Sequence, residues 1–514
     1  MLQLLSLSSP AFTWLSFFLF MVVFFWMRSK AKGQNHKLPP GPWKLPLLGN
    51  LHQLAFTKLP HRTLKDFADK CGPIMRLQLG EVLAIIISSP ELAKDVLKIH
   101  DPAFAQRPSM LAVEVMSYDY SSMVFAPYGD YWRQMRKVSV MRLLSAKRVQ
   151  SFRPVREEEV GNLIEFLYSS GALLPINISE EFYSLMNSIT CRAAFGKKCK
   201  HEKEFTSLLN YIIKVGGGFD LHDLFPSLKF VSFVTGTKPA LLKIQRKIDK
   251  ILDNILDEHS TKRHTSSGGK DESAAADHHE EDIIDVLMNL QEAGETEINI
   301  TRKQIKAITM DVVTAGSETS AGTLEWAMAE LMKNPKVMEK AQIEVREIFG
   351  RRRKVDETDV QKLAYVQSVI KETLRQHPPR VLIPRESREK CKIGGYEIPS
   401  NTKVLVNAWA IGRDTNHWID ADSFRPERFL NSSIDFGGDN SEYLPFGAGR
   451  RRCPGISFAV ANMELTLSQM LYHFNWKLPN DMTAEELDMT ESVGVAPKKE
   501  KELYVIATPW TPLN

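Results

Sequence analysis

Several groups of residues in this chain have the types and the spacing that chemistry needs. In the segment YLPFGAGRRRCPGISFAVANMEL, Phe446, Gly449, Arg451, Cys453 and Gly455 stand at short offsets ahead of a helical apolar pattern. A lone cysteine is normally a small buried hydrophobe. Here glycines allow a tight turn close to a flat cofactor, Pro454 cannot donate a hydrogen bond, and a helix is predicted to start directly behind the sulfur. That setting suits a thiolate, whose charge is stabilised by backbone donors and by the positive end of a helix dipole. Arg451 adds a cation able to pair with a carboxylate.

A second group, AGSETS, lies inside residues 305–334, which read as one long helix stopped before Pro335. Gly316 weakens that helix, and the Thr319 hydroxyl can bond back to the Ala315 carbonyl, so a local distortion opening a groove is expected. Glu318 beside Thr319 is an odd choice for an ordinary buried helix. It is the choice for a proton path next to an apolar pocket. In KETLR, Glu372 and Arg375 share a helix face; alone, such a pair is usually a surface ion pair. In YWRQMRK, Trp132 and Arg136 share a face with Arg133 and Lys137 beside them, which also describes a basic amphipathic surface helix.

These groups must be positioned by elements that the rest of the 514 residues supply. The length allows one large unit or two to three ordinary domains. With 43% hydrophobic and 25% charged residues the bulk should fold in water, and a net charge of +4 gives no reason to propose nucleic acid as a partner. The runs IMRLQL and VLAIIIS, separated by Gly80 and Glu81, predict a hairpin. Most of the chain from there to Gln376 reads as helix, including residues 91–99, 240–258 and 336–349. Beyond His377, strands are expected at 403–408 and 503–507 and a helix at 456–472. The polar stretch 259–282, with His278 and His279, reads as a surface loop with solvated histidines. No glycine-rich nucleotide loop sits between a strand and a helix, so the chain is not expected to bind NADPH itself.

Five scattered cysteines without zinc-like spacing argue against a disulfide framework and for a reducing compartment. Residues 11–27 are uncharged, rich in Phe, Leu and Val, and just long enough to cross a bilayer. A cleaved signal peptide is the other reading, but the apolar run is long for one and no cleavage site follows. Arg28, Lys30, Lys32 and Lys37 follow directly, so the large domain should face the cytosol. The glycosylation sequons at Asn177, Asn299 and Asn431 are then chance matches. Residues 1–30 are assigned as the anchor, 31–50 with Pro39, Pro40 and Pro42 as a stiff proline-rich hinge, and 51–514 as the catalytic domain.

The cysteine segment resembles the haem-binding loop of the cytochrome P450 family. The other groups resemble that family's further motifs in order and spacing: AGSET, the Trp132–Arg136 pattern, and KETLR followed by Arg428 of FRPERF. The likeness covers essentially the whole chain. It is nearest to the plant microsomal branch that oxidises terpenoids and related metabolites, on KLPPGPWKLPLLGN, PYGDYWRQMRK and LYHFNWKLP. Arg380 in HPPRVLIPRES departs from it, standing where the family usually has an uncharged residue.

The resemblance implies a mainly α fold with small β-sheets, binding haem b with Cys453 as the metal ligand; thiolate ligation favours splitting of the O–O bond. It implies that Trp132, Arg136, Arg451 and Arg385 hold the propionates, that Phe446 and Gly455 shape the loop, and that Thr319 and Glu318 orient dioxygen and relay protons. Glu372, Arg375 and Arg428 would form a buried structural network. Val312, Ala315, residues 110–124, Val381, Leu382, Ile383, Val493 and Val495 would line an apolar substrate pocket. The implied reaction is hydroxylation of a hydrophobic small molecule, a sesquiterpene or diterpene first, an alkaloid or phenolic as alternative. Electrons from NADPH would come through a reductase in the endoplasmic reticulum membrane, docking on Arg133, Lys137, Arg450 and Arg452. A reductase-independent haem-thiolate isomerase or lyase, and a haem sensor, are the competing classes; neither has a use for the Glu318–Thr319 pair.

Overall fold

The computed structural model describes residues 37–510, apart from 56, 172–173, 198–206, 209–220, 229, 269–280, 295–296, 351–355, 493 and 495, and adds Trp14, Phe17 and Met21. The apolar stretch 11–27 thus lies outside the described residues save those three. Among the described residues no helix is long and apolar enough to cross a membrane.

The organising element is the helix Arg302–Lys333. Thr301 and Gln304 cap its start reciprocally, and Pro335 prevents its continuation. Its second half is buried on every side, from Ser320 and Ala321 through Leu324, Trp326, Ala327 and Leu331. A helix apolar all round is one enclosed by other elements. Ile178–Phe195 packs along it, so closely that a Cβ on Gly316 would lie 3.0 Å from Thr190 Cγ2. The expected distortion takes the form of back-bonds rather than a break: the helix is continuous, with Thr319 Oγ1 donating to Ala315 O at 2.7 Å and Ser317 Oγ to Val313 O at 2.9 Å.

The predicted hairpin forms as Ile74–Leu79 and Val82–Ile87, paired antiparallel around Gly80 at φ +60°. It extends into a four-stranded sheet through Lys403–Asn407, parallel to the second strand, and Leu382–Glu386, antiparallel to the third. Smaller sheets join Ile176–Asn177, Tyr504–Pro509 and Phe474–Lys477, and Cys391–Ile393 with Tyr396–Ile398.

The proline-rich connector is stitched to the hairpin. Arg76 N donates to Pro40 O at 2.8 Å, and Asn50 both receives Gln78 N on its Oδ1 at 2.8 Å and donates its Nδ2 to Trp43 O at 2.9 Å. A Cβ on Gly41 would come within 2.2 Å of Arg76 O. From Lys37 onward the connector is bonded to the domain, Glu397 N donating to Lys37 O at 3.0 Å.

The stretch expected as a loop from residue 259 begins instead as the end of the helix Thr237–Gly268. The apolar stripe Leu241, Ile248, Leu252, Ile255 and Leu256 is buried, and an established helix propagates at little cost into polar sequence. His259 is buried, bonded to Ile255 O and, at 2.8 Å, to Asp282 Oδ2. His278 and His279 lie outside the described residues.

The Glu372–Arg375 pair is internal. On the helix Ala364–Gln376 both side chains are 0% exposed, with Arg375 Nε 2.7 Å from Glu372 Oε2. Arg428 Nε reaches Glu372 Oε1 at 3.0 Å and Arg425 N the same oxygen at 2.8 Å. Arg375 spends its remaining donors on Gly412 O and Ala421 O, and its guanidinium faces the Trp418 ring at 5.2 Å. Glu372→Gln leaves two cations without their counter-charge and should cost about 3–5 kcal/mol. Denaturant unfolding of the purified protein checks this; a midpoint equal to the parent's would contradict it.

Candidate active site

The Cys453 loop closes on itself, with Cys453 N donating to Phe446 O at 3.0 Å and the Phe446 ring edge-to-face with Phe436. Gly449 adopts φ +70°, and a Cβ there would sit 2.0 Å from Leu97 O, so no other residue fits. Arg450 N caps Asp101 Oδ2 at 2.9 Å. Arg451 staples the loop to the segment after the sheet, donating to Ala105 O at 2.8 Å and Ala126 O at 2.6 Å. Gly455 is the N-cap of the helix Ile456–His473, and its N–H points to the thiol. Burial pushes the Cys453 thiol up, against the opposing pull of the Gly455 N–H, Arg136 and Arg452. Cys453 as a residue is half-buried, and it has no disulfide partner among the described residues.

The central helix is interrupted in its burial. Midway along it, between buried flanks, Ala315 is exposed and Val312, Glu318 and Thr319 are half-buried. The helix behind Cys453 meets it at Gly316, where a Cβ would lie 3.7 Å from Phe458 Cε1. Glu318 is held by Lys498, Oε1 to Nζ at 2.9 Å, and the same ammonium sits 4.3 Å over the Tyr183 ring. Lys498 had no signal in the sequence, since only the fold brings the C-terminal segment to this helix.

Arg107, Arg136, Arg385 and Arg451 gather near the Cys453 loop, with Arg385 donating to Ala448 O at 3.2 Å and Arg107 to Pro384 O at 2.6 Å. Burial lowers the pKa of all four, to about 10 for Arg385 and about 9 for Arg451, and Arg107, Arg385 and Arg451 repel one another. Asp101 is the carboxylate that Arg385 and Arg451 sense, and its own burial raises its pKa. The Nε atoms of Arg107 and Arg385 have no hydrogen-bond partner. So many desolvated cations with so little negative charge call for anionic partners, and the two propionates of a haem supply them. The residues present therefore fit the group. Arg107, in FAQRP, was missed by sequence reasoning because nothing local marks it. Trp132 is placed differently from expectation: its indole N–H donates to Met123 O at 3.0 Å, and its ring lies 4.3 Å beneath the Arg451 guanidinium, which it supports.

Of the expected pocket wall, Val381 is buried in a cluster with Trp409 and Ala410, and Ile383 in one with Phe104 and Val406. Leu382 is half-buried against neighbouring sheet residues. Leu111, Ala112, Val115, Met116 and Met123 belong to the main core. Alternation along the strand gives these side chains to its own neighbours. Val493 and Val495 lie outside the described residues. Arg133 and Arg450 gather with Arg388 around the Tyr128 ring, at 5.7, 5.9 and 5.0 Å; Lys137 is exposed and Arg452 bonds Gly437 O.

Two predictions follow from this geometry. Cys453→Ser should remove the long-wavelength Soret band of a thiolate-bound, reduced and carbon-monoxide-treated protein; persistence of that band would refute the ligand assignment. Asp311 accepts Val124 N at 3.1 Å, and burial pushes its carboxyl up to about 7. The folded state thus keeps a proton that the unfolded chain releases, so this group's contribution falls as pH rises from about 4 through about 7. Asp311→Asn has no proton to lose, so its Tm relative to the parent should climb between about pH 5 and pH 8. A constant Tm difference would count against it.

Comparison with known proteins agrees with the architecture. The family model for cytochrome P450 matches residues 39–504. Melianol synthase of Ailanthus altissima is 54% identical, covering 97% of this chain and 95% of the relative. Premnaspirodiene oxygenase of Hyoscyamus muticus is 50% identical, covering 98% and 99%, and desmethyl-deoxy-podophyllotoxin synthase of Sinopodophyllum hexandrum 48%, covering 95% of both. A zebra fish cytochrome P450 solved with progesterone superposes with a TM-score of 0.73 at 25% identity, covering 88% of this chain and all of that one. With its thiol loop, its arginine cluster and a model match across nearly all its length, this chain belongs to the cytochrome P450 family and is a monooxygenase.

Proposed function

We propose that the chain hydroxylates a terpenoid, using dioxygen and electrons from NADPH delivered by a cytochrome P450 reductase. In this reading residues 1–30 anchor it in the endoplasmic reticulum membrane with the catalytic domain in the cytosol, where a lipophilic substrate partitions. The observation that carries it is the pairing of the Cys453 loop, closed by Cys453 N on Phe446 O, with a central helix whose burial is interrupted at Val312, Ala315, Glu318 and Thr319. Two relatives above 50% or at 50% identity, melianol synthase and premnaspirodiene oxygenase, oxidise terpenoids.

Haem bound at Cys453 would supply the oxygen-inserting chemistry, its propionates held by Arg107, Arg136, Arg385 and Arg451. The chain's own residues do the rest. The Thr319 hydroxyl is held by its bond to Ala315 O, on the stretch of the helix that is not fully buried. Glu318 can take protons from outside through Lys498, whose side chain is 32% exposed while that of Glu318 is 14% exposed. Apolar surface binds by area, at roughly 25 cal/mol per Å² buried, and selects shape over polarity. Arg133, Lys137, Arg450 and Arg452 form the basic face for an acidic reductase surface.

The test is product formation in microsomes carrying the chain and a reductase, supplied with NADPH and a panel of sesquiterpenes, diterpenes, triterpenes, alkaloids and phenolics. Oxygenated terpenoids are expected; turnover confined to the alkaloids or phenolics would refute the substrate class, and turnover without reductase the reaction class. On the best substrate, Thr319→Ala should keep binding but divert electrons to peroxide, lowering product per NADPH several-fold. An unchanged ratio would remove Thr319 from proton delivery.

A further inference from the structure

Two buried polar atoms beside the central helix have no hydrogen-bond partner among the described residues: the hydroxyl of Tyr183 and Oε2 of Glu325. Tyr183 belongs to the helix Ile178–Phe195 and Glu325 to Arg302–Lys333. Three close approaches fix how these helices face each other. Ser179 Oγ donates to Glu325 Oε1, the Tyr183 hydroxyl lies 3.5 Å from where a Cβ on Gly322 would stand, and Thr190 Cγ2 lies 3.0 Å from the same position on Gly316. One residue number rises as the other falls, so the helices run antiparallel in one register along this seam. Glu318, Gly322 and Glu325 then stand on successive turns of one helix face. The Tyr183 hydroxyl sits at the middle one, about one turn from either carboxyl.

Residues 497–503 close the third side of the seam. Pro497 O accepts Trp326 Nε1 at 3.2 Å, and Leu503 N donates to Ser179 Oγ at 2.8 Å. Between them Lys498 Nζ holds Glu318 at 2.9 Å and lies 4.3 Å over the Tyr183 ring. Gly322 is half-buried, and a Cβ there would meet nothing across the seam within 4 Å except the Tyr183 hydroxyl. The space beside that hydroxyl is therefore not filled by a side chain. A phenol without an acceptor and a carboxyl with one free oxygen are costly in a dry interior. Water relieves both, and it finds the several polar partners it needs in Tyr183, Glu325 and Glu318. Burial, then the charges of Glu325 and Glu318, push the Tyr183 phenol up. Burial also pushes the Glu325 carboxyl up, against the pull of Ser179, Lys499 and Lys498. Both shifts favour the protonated form.

We propose that this seam holds a short file of water and serves as a proton store behind Glu318, Glu325 carrying the stored proton and the Tyr183 hydroxyl positioning the water that passes it on. Inserting one oxygen atom of dioxygen into a C–H bond consumes two electrons and two protons and releases one water. The electrons come from NADPH, but Glu318 holds one proton at a time. In each transfer Tyr183 gives its proton to the water on the Glu318 side and takes one from the water on the Glu325 side, so no charge stays on the phenol. Glu325 regains its proton along the same file from Lys498, which reaches the surface. This rests on proton delivery by Glu318 and Thr319 and is independent of which substrate is oxidised.

The test uses the haem-loaded protein and two small changes. Tyr183→Phe removes one oxygen atom, and Glu325→Gln keeps an acceptor for Ser179 while losing the transferable proton. A crystal structure of the parent should show ordered water bonded to Tyr183 Oη and Glu325 Oε2; a dry seam overturns the proposal without any turnover. For whichever compound of the microsomal panel gives product, both variants should bind it as the parent does, by spectral titration. Tyr183→Phe should unfold at the parental temperature or above. Both should form several-fold less product per NADPH, with a larger solvent deuterium isotope effect on product formation. Acting in series, the double variant should be no worse than the worse single one; losses that multiply overturn the file. Parental coupling in both single variants while Thr319→Ala is uncoupled overturns the store and leaves Thr319 in place, and parental coupling in all three overturns both. A Tyr183→Phe protein that unfolds earlier yet couples like the parent makes the hydroxyl a structural group and also overturns the proposal.

Discussion

The carboxylate of Glu372 is the interaction on which the rest of this structure hangs. It has no contact with water, and it gathers Arg375, Arg428 and the backbone of Arg425. Through Arg375 it also fixes the carbonyls of Gly412 and Ala421. The segment between the sheet and the cysteine loop is built of successive turns. This charge cluster ties those turns to the helix Ala364–Gln376 with charge-assisted bonds rather than with a sheet.

A second electrostatic condition runs the other way. The cations around Arg107, Arg385 and Arg451 are not neutralised by the chain, and their mutual repulsion is stored in a dry interior. Arg451 softens this by donating to backbone carbonyls and lying on Trp132. The protein is thus electrostatically complete only with its dianionic cofactor, which couples cofactor retention to folding.

What the sequence made legible is what is local. The hairpin around Gly80, the helix ended by Pro335 and the Cys453 loop are each specified by residues a few positions apart, and each forms where expected. Family resemblance added the distant members, Arg428 above all, that no local pattern links to Glu372. Neither route found Lys498 or Arg107, whose partners are set by tertiary approach alone. The same limit explains Trp132, a ring at motif spacing whose N–H is taken by Met123 O. It also explains His259, a polar residue in a polar stretch that Asp282 nevertheless makes burial-competent.

The connector that runs from Lys37 to Asn50 is bonded to the hairpin through Pro40 and Asn50 and to itself through Asn50 Nδ2 and Trp43 O. A tether of loose chain would let the domain tumble, and each encounter at a lipid surface would sample many attitudes. Here a torque applied ahead of Lys37 is transmitted to the whole catalytic body. Were the proposed anchor to precede Lys37, the attitude of the domain toward a bilayer would be inherited from covalent geometry, and the encounter with a lipid-dissolved molecule would become a fixed-angle, two-dimensional search.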